Sequence, residues 1–427
     1  MKALEPGWER KERMHDERLL RMAVSLTKER EPYSWIGLGE GFGLRLVDEL
    51  IDRCPAAPKN ILDPFAGSGT TLWAAGRRGI PARGLEIMPM CALRFEGMLS
   101  WNDMDLEMAA SLADDLLALA PDEEFHPPGH GLGLLQEDAS LASSWRSFLQ
   151  KVPSAPERGL LQTTALLALR DREMSIISYR GHDKRTGRKA KLGRIPRGDD
   201  LSSAFRMRMT KALLHLTMRG NDAARMKGQE LECASALRAL PGFKSSSYDC
   251  VITSPPYYNG FDYLQNYALE HWFLGLDEEL RLARSDIFPT GPGNGMRAEQ
   301  VRKACLASKG RAFHEVERAL QNMGADLRSA MHIFPEEEAV PFHSYMLAQA
   351  LVLSDLARIV RPGGSIFYVI DDAYVSDADV PLGDIFSELA ARLGLNIKGI
   401  YRDLRENEEM GRLSAERKRT AVCHWVR

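Results

Sequence analysis

Short runs of apolar residues that end on a polar or glycine-containing turn recur along the chain and alternate with helical patterns. The first run covers residues 61–62 and leads through an acid into a glycine turn and a helix. Another covers residues 250–253, carries β-branched side chains, and ends on Ser254-Pro255-Pro256-Tyr257. Buried strands followed by turns and helices predict an α/β fold, in which the carboxyl ends of parallel strands form one ligand-binding edge.

The remaining strands are predicted on both sides of a long interruption in this pattern. An apolar helix at 344–360 reaches a Pro-Gly-Gly turn at 362–364, and a buried strand follows the turn. The further strands are predicted at residues 82–87, 230–234, 365–370, 395–402 and 420–426, and the last two are expected to form a closing hairpin.

The interruption divides the chain into three parts. Residues 1–98 hold an amphipathic N-terminal helix at 8–30 and the first half of the core. Residues 99–228 form an insert, and residues 229–427 hold the second half of the core with a helical lobe at about 285–343. We therefore expect one α/β domain whose core is split by the insert.

Composition limits the possible classes of protein. The chain has 427 residues, of which 44% are hydrophobic, and this is ample for a packed core. The six cysteines are scattered without metal-binding spacing, so we predict no metal site and no disulfide framework. Residues 1–30 are charged, and no apolar run is long enough to span a bilayer, so we expect a cytoplasmic protein that does not enter a membrane.

Charge is distributed unevenly within the insert. Residues 102–138 hold ten acids and no Lys or Arg, whereas residues 170–227 hold sixteen Lys and Arg against six Asp and Glu. The stretch at 179–200 combines Gly, Pro and cations with few core residues, which fits either a solvated loop or contact with a phosphate backbone. In the helix predicted at 205–227, the residues expected to face the core are Met207, Leu213, Leu214, Leu216 and Met218.

Two turns at strand ends carry the chemical signal. Glycines let a backbone approach a ligand closely, and a following helix offers free amides, although the G-x-G-x-x-G spacing of dinucleotide folds is missing. Together the two turns resemble motifs of the DNA amino-methyltransferases, which use S-adenosylmethionine. The resemblance implies a Rossmann-like class I methyltransferase core with a mostly parallel, seven-stranded sheet. The turns are Asp63-Pro64-Phe65-Ala66-Gly67-Ser68-Gly69-Thr70 and Ser254-Pro255-Pro256-Tyr257.

The resemblance assigns the first turn, residues 63–70, to the cofactor. Glu86 ends the second strand about twenty residues later, a spacing that suits hydrogen bonds to the ribose hydroxyls. A salt-bridged or helix-capping glutamate is the alternative at Glu86. Ile87 follows it and is assigned to the same site.

Two further cofactor contacts are carried over from the family. Its third strand ends with an acid near the adenine, where this chain has Cys233, unless Asp138 is the true counterpart. A segment that precedes the cofactor strand closes over the methionine end in the family, and we assign this role to Phe42 and its neighbours.

The double-proline turn is assigned to the substrate amine. The Ser254 hydroxyl and the Pro255 carbonyl would accept the two amine hydrogens, so that the nitrogen lone pair points at the methyl sulfonium. Pro256 keeps the turn rigid, and Tyr257 would stack on a base that has left the duplex. Cys250 lies too early on its strand to attack a pyrimidine ring, which argues against carbon-5 methylation.

The predicted function is methylation of double-stranded DNA on an exocyclic amine. In the family, serine at the start of this turn is commoner in cytosine-N4 enzymes and aspartate in adenine-N6 enzymes, so the resemblance favours cytosine-N4 over adenine-N6. The insert would recognise the target, and a cognate restriction or defence protein is a possible partner. An RNA amino-methyltransferase and a catalytically silent DNA-recognition subunit are the alternatives. The residues predicted to contact DNA are Lys184, Arg185, Arg188, Lys189, Lys191, Arg194 and Arg197.

Overall fold

The computed structural model describes residues 42–125, 134–180, 200–218, 226, 228–258, 266–291, 299–301, 303, 318, 336–375, 378–402 and 420–427. The predicted N-terminal helix at 8–30, the basic stretch at 181–199 and most of the lobe at 285–343 lie outside these residues. So do the seven cations that are predicted to contact DNA.

One large sheet organises the described residues. Its strands are β1 (Ile61–Asp63), β2 (Ala82–Glu86), β3 (Gln229–Cys233), β4 (Tyr248–Thr253), β5 (Val360–Asp371), β8 (Asn396–Arg402) and β9 (Thr420–Val426). The seven strands have the order β3-β2-β1-β4-β5-β9-β8, and β9 runs antiparallel to both of its neighbours while the other pairs are parallel. The mostly parallel seven-stranded sheet and its closing hairpin are therefore confirmed.

Helices cover both faces of this sheet because successive side chains of a strand point to opposite sides. In β4, Cys250 and Ile252 join one apolar cluster and Val251 joins the other; in β5, Phe367 and Tyr368 divide in the same way. The helices in chain order are α1 (Leu44–Asp52), α2 (Thr70–Arg77), α3 (Pro89–Leu99), α4 (Leu106–Leu117), α5 (Gln136–Leu149), α6 (Ala155–Arg180), α7 (Leu201–Met218), α8 (Ala236–Ala239), α9 (Ala268–Leu274), α10 (Asp277–Ala283), α11 (Glu336–Ile359) and α12 (Leu382–Arg392).

The insert helices extend one of the two helical layers. α6 packs against α3, and the helices approach closely where two glycines meet, since a Cβ built on Gly159 would lie 3.1 Å from the Gly97 Cα. α7 lies against α6, where the Arg208 guanidinium pairs with Asp171 at 2.6 Å. The described helices include none with the length and apolarity that a membrane span requires.

One local prediction from the sequence is wrong. Met207 and Leu214 are 61% and 56% exposed, so α7 does not turn them toward the core. Its buried residues include Phe205 and Met209, and Phe205 packs against the Trp145 ring at 5.1 Å. A short hairpin of β6 (Ala373–Val375) and β7 (Ala378–Val380) precedes α12.

The Pro-Gly-Gly segment is a second difference, although a smaller one. It lies inside β5 as an irregularity: Val360 pairs with Tyr248, and the next partners are Ser365 and Cys250. Gly363 has a positive φ of 81° within this irregularity. The chain therefore turns where the sequence predicts a turn, but the strand continues past it.

Candidate active site

Asp63 joins the glycine turn at residues 63–70 to the double-proline turn at residues 254–257. Its carboxylate accepts hydrogen bonds from the Thr71 hydroxyl at 2.6 Å and from the Thr253 hydroxyl at 2.7 Å. Thr71 belongs to the helix after the glycine turn, and Thr253 is the last residue before Ser254. Since β1 and β4 are parallel neighbours, the two turns leave the same edge of the sheet side by side.

The Asp63 carboxylate is buried and hydrogen-bonded to protein groups. The side chain is 1% exposed, and one of its oxygens also accepts the Phe65 backbone N–H at 3.1 Å. Burial raises the pKa of Asp63 to about 6, and the three hydrogen bonds partly oppose this rise. The Asp63 carboxylate therefore faces protein groups, and it holds the glycine turn and the double-proline turn together.

Two glycines shape the first turn. Gly67 and Gly69 have φ of 52° and 83°, and Gly69 immediately precedes α2. A Cβ on Gly69 would lie 2.7 Å from two atoms of the Phe95 ring. The turn therefore lies directly on α3, and it presents backbone without side chains at these positions.

Gly84, in the middle of β2, packs against the glycine turn. It does not belong to either of the motifs recognised in the sequence. A Cβ on Gly84 would lie 2.7 Å from both the Ala66 Cβ and a methyl carbon of Leu231. The Ala66 backbone N–H also donates to the Leu85 carbonyl at 2.9 Å. A glycine in the middle of a strand is the sequence signal for such a close approach.

Glu86 lies at the tip of β2 and braces the glycine turn. Its carboxylate accepts the Gly67 backbone N–H at 2.8 Å and the Met88 backbone N–H at 2.9 Å. The side chain is 8% exposed, and burial raises its pKa above the usual value. Each oxygen keeps a second lone pair, so the same carboxylate can accept hydrogen bonds from a ligand.

The two candidates for the adenine contact lie in different places. Cys233 ends β3 in register with Glu86, and its exposed thiol is 3.9 Å from the Ile87 carbonyl oxygen. Asp138 lies in α5, within the insert, where it forms an ion pair with Arg172 at 2.9 Å. Of these two residues, Cys233 is the one at the end of a sheet strand.

Phe42 and Phe65 are placed by apolar packing. Phe42 is 9% exposed and precedes α1, which packs against α2. The Phe65 ring meets the Phe288 ring edge to face, with 5.4 Å between their centroids. The Phe288 ring centroid also lies 6.2 Å from the Tyr345 ring centroid of α11. Aromatic rings therefore connect the glycine turn with α11.

The double-proline turn is held by side chains on either side of it. The Ser254 hydroxyl and the Tyr257 hydroxyl form a hydrogen bond of 2.8 Å. A hydroxyl offers one donor and two acceptor positions, so Ser254 can bind a further partner while this bond persists. Tyr258 is buried, and its ring packs on Phe342 and Tyr345 at 5.1 and 5.3 Å.

A buried ion pair joins the insert to the segment after this turn. The Arg170 guanidinium of α6 binds the Glu270 carboxylate of α9, with one contact at 2.7 Å, and also donates to the Asn266 carbonyl. Arg170 lies 5.3 Å from the centroid of the Tyr267 ring. Glu270 is 3% exposed, and burial raises its pKa while Arg170 lowers it.

Comparisons with known proteins show what the chain is similar to. No family model matches the chain. The type II methyltransferase M.AvaI, from Nostoc sp. (strain PCC 7120) and from Anabaena variabilis, is 27% identical over 93% of this chain and 86% of its own length. The type II methyltransferase M.BsoBI from Geobacillus stearothermophilus is 24% identical over 95% of this chain and 87% of its own length.

This chain is a homologue of type II methyltransferases. The predicted resemblance is confirmed, and the similarity covers the insert as well as both halves of the core because it spans more than nine-tenths of the chain. The α/β sheet described above is accordingly a Rossmann-like methyltransferase core.

Proposed function

We propose that this homologue of type II methyltransferases methylates DNA on the exocyclic amine of a base that is flipped out of the duplex. Cytosine-N4 is the favoured position and adenine-N6 the second. The observation that carries the proposal is the bridge from Thr71 through Asp63 to Thr253, which puts a glycine turn and a Ser-Pro-Pro-Tyr turn next to each other. A methyl donor on the first turn then faces an amine on the second.

The methyl donor is S-adenosylmethionine, whose sulfonium supplies an electrophilic methyl group. The residues of the glycine turn fit this cofactor for two reasons. Gly67 and Gly69 have positive φ and no side chains, so the backbone is accessible to a ligand. The helix α2 begins directly after them, and the first amides of a helix have no partner within it. The turn from Asp63 to Thr70 would hold the cofactor, and Phe42 would lie at its methionine end. Glu86 would accept the ribose hydroxyls, and Ile87 and Cys233 would border the adenine.

The second turn would make the amine nucleophilic by position and electrostatics. The Ser254 hydroxyl and the Pro255 carbonyl accept the two amine hydrogens, which turns the nitrogen lone pair toward the methyl group. Tyr257 stacks on the base. The nitrogen loses its proton after transfer, when the methylated amine is strongly acidic, so the turn needs no separate general base.

The described part of the insert supports a duplex substrate. The 18-residue helix α7 contains no Asp or Glu, and Arg206 and Lys211 lie exposed on it. Met207 and Leu214 are exposed on the same helix, and large exposed apolar side chains often mark contact surfaces. The basic stretch from Lys184 to Arg197, immediately before α7 in the sequence, is proposed to contact the phosphates.

Methyl transfer from tritiated S-adenosylmethionine to duplex DNA and to RNA tests the proposal. We expect label in DNA and none in RNA. The Ser254→Ala variant should lose roughly 100-fold or more of the transfer rate, the magnitude typical of a hydrogen bond made at the transition state. Calorimetry should show that the variant still binds the cofactor. Label in RNA alone, or cofactor binding without transfer to either nucleic acid, would contradict the proposal.

A further inference from the structure

The double-proline turn has few ways of being held in place. Proline has no backbone N–H, so neither Pro255 nor Pro256 can donate a hydrogen bond to the sheet or to a neighbouring loop. Within the Pro255–Pro256 pair, the carbonyl oxygens are therefore the backbone groups by which other elements can fix the turn. If Pro255 uses its carbonyl for the substrate amine, the Pro256 carbonyl is left to receive the fixing contact.

Gln349 of α11 makes this contact. Its side-chain amide nitrogen, Nε2, donates to the Pro256 carbonyl oxygen at 3.3 Å. Gln349 is 0% exposed and lies between the buried alanines Ala348 and Ala350. Burial of an amide costs free energy unless the amide is hydrogen-bonded, so an apolar residue would suit this helix position better if packing were its only role.

Tyr368 fixes which end of the Gln349 amide faces the turn. The Tyr368 hydroxyl donates to Oε1 of Gln349, and the Tyr368 side chain is fully buried. Tyr368 lies on β5 in register with Thr253, the residue before Ser254. A reversed amide would put Oε1 against the Pro256 carbonyl, two acceptors with no hydrogen between them.

We propose that Gln349, held by Tyr368, is a positioning residue for methyl transfer. It orients the peptide group between Pro256 and Tyr257, and so sets the direction of the Pro255 carbonyl on one side and of the Tyr257 ring on the other. Gln349 touches neither substrate nor cofactor and acts through the turn. This inference rests on the proposed function, because it assigns the Pro255 carbonyl to the amine.

The Gln349→Met variant tests the inference, because methionine has a similar length and lacks the amide donor. We expect kcat for DNA methylation to fall roughly tenfold to hundredfold, as misplacement of reacting groups by about 1 Å does. The Kd for S-adenosylmethionine and the KM for DNA should stay within about twofold, since the lost contact acts on geometry during transfer.

Tyr368→Phe should lower kcat in the same direction by a smaller factor, because the phenyl ring keeps the packing and loses the hydroxyl. The double variant should resemble Gln349→Met alone, since Tyr368 acts through Gln349. Tyr368→Phe also keeps the test available if Gln349→Met fails to fold. If the losses of kcat in the two single variants add up in the double variant, Tyr368 does not act through Gln349.

Ser387→Ala is the matched control. It removes a buried hydrogen bond of the same kind, in which Trp425 Nε1 donates to the Ser387 hydroxyl at 3.1 Å, between α12 and β9. This variant should lose stability and keep its kcat. If Ser387→Ala and Gln349→Met lose the same stability and the same fraction of kcat, the role of Gln349 is structural only.

Wild-type activity separates failure of the inference from failure of the proposed function. If the wild type methylates DNA and Gln349→Met does so at the same rate, the inference alone is overturned. If the wild type transfers methyl groups to no nucleic acid, the proposed function fails and the inference fails with it.

Discussion

A single buried carboxylate holds the two halves of the site together. The Asp63 carboxylate accepts hydrogen bonds from the hydroxyls of Thr71 and Thr253, which lie on either side of the insert in the sequence. The resemblance assigns Asp63 to the cofactor site, and its hydrogen bonds link the two turns in addition. Sequence identifies an acid at a strand end, whereas the partners that surround it become visible only after the fold brings β4 beside β1.

Burial of Asp63 predicts a pH effect on stability. Its pKa in the folded state is about 6 against an ordinary 3.8, so the folded protein binds more protons between these values and loses stability as the pH rises through them. The loss attributable to Asp63 is about 3 kcal/mol at 1.36 kcal/mol per pKa unit. Urea unfolding from pH 4 to 7 should show a smaller fall in the free energy of unfolding for Asp63→Asn than for the wild type.

The neighbouring Glu86, whose pKa burial also raises, contributes to the same trend in both proteins. The Asp63 charge also helps to raise the Glu86 pKa, so the difference between wild type and Asp63→Asn reports Asp63 together with its effect on Glu86. Parallel pH profiles for the two proteins would show that the charge of Asp63 is not the cause.

Gly84 gives a second prediction for a single residue. The Gly84→Ala side chain would overlap Ala66 and Leu231, so the glycine turn should move off β2. We expect the affinity for S-adenosylmethionine to fall roughly tenfold or more, measured by calorimetry, since the loss corresponds to about 1.4 kcal/mol. Gly242→Ala is the control, because a Cβ there meets nothing within 4 Å. Equal cofactor affinity in the two variants would contradict the role given to Gly84.

Among the elements, the insert helices show where sequence patterns are informative and where they are not. β1 and β4 are predicted well because their apolar runs are short, buried and closely followed by Pro. α7 is different, since apolar residues occur on several of its sides and the periodicity does not select one. Contact between Phe205 and Trp145 of α5 decides the face, and no pattern within α7 records that contact.

The Arg170–Glu270 pair connects α6 of the insert with α9 of the core. Glu270→Ala leaves the Arg170 guanidinium, which is 23% exposed and keeps its bond to the Asn266 carbonyl, so this variant should cost about 1–3 kcal/mol of unfolding free energy. The surface pair of Arg392 with Glu388 is the control, and Glu388→Ala should cost about 0.5 kcal/mol or less. Urea unfolding measures both. A cost below 1 kcal/mol for Glu270→Ala would mean that the pair adds little to the attachment of the insert.

The exposed cations of α7 predict a contribution to DNA binding. Lys211→Ala should weaken duplex binding and lower the dependence of log K on log salt by about one unit, as the loss of one phosphate contact does. Lys244→Ala is the control, since this exposed lysine precedes β4 at the end of the strand opposite the Ser-Pro-Pro-Tyr turn. Fluorescence anisotropy at several salt concentrations gives the slopes. Equal slopes for both variants and the wild type would place the DNA elsewhere.

At the scale of the whole molecule, the order of the strands creates the site. β1 and β4 are adjacent in the sheet although their ends are 190 residues apart in the sequence. Paired motifs with a known order could predict this adjacency. Supporting residues such as Gln349 and Tyr368 could not be predicted, because an isolated glutamine in an apolar helix and a tyrosine in a buried strand carry no signal of their shared target.

The most direct test of the central claim is mass spectrometry of nucleosides from duplex DNA that has reacted with S-adenosylmethionine carrying a deuterated methyl group. We predict that the label appears on an exocyclic amine, as N4-methylcytosine, with the wild type, and is nearly absent with Ser254→Ala. Label on carbon 5 of cytosine, or equal labelling by Ser254→Ala, would contradict the account in which the Ser-Pro-Pro-Tyr turn holds the amine against the methyl donor.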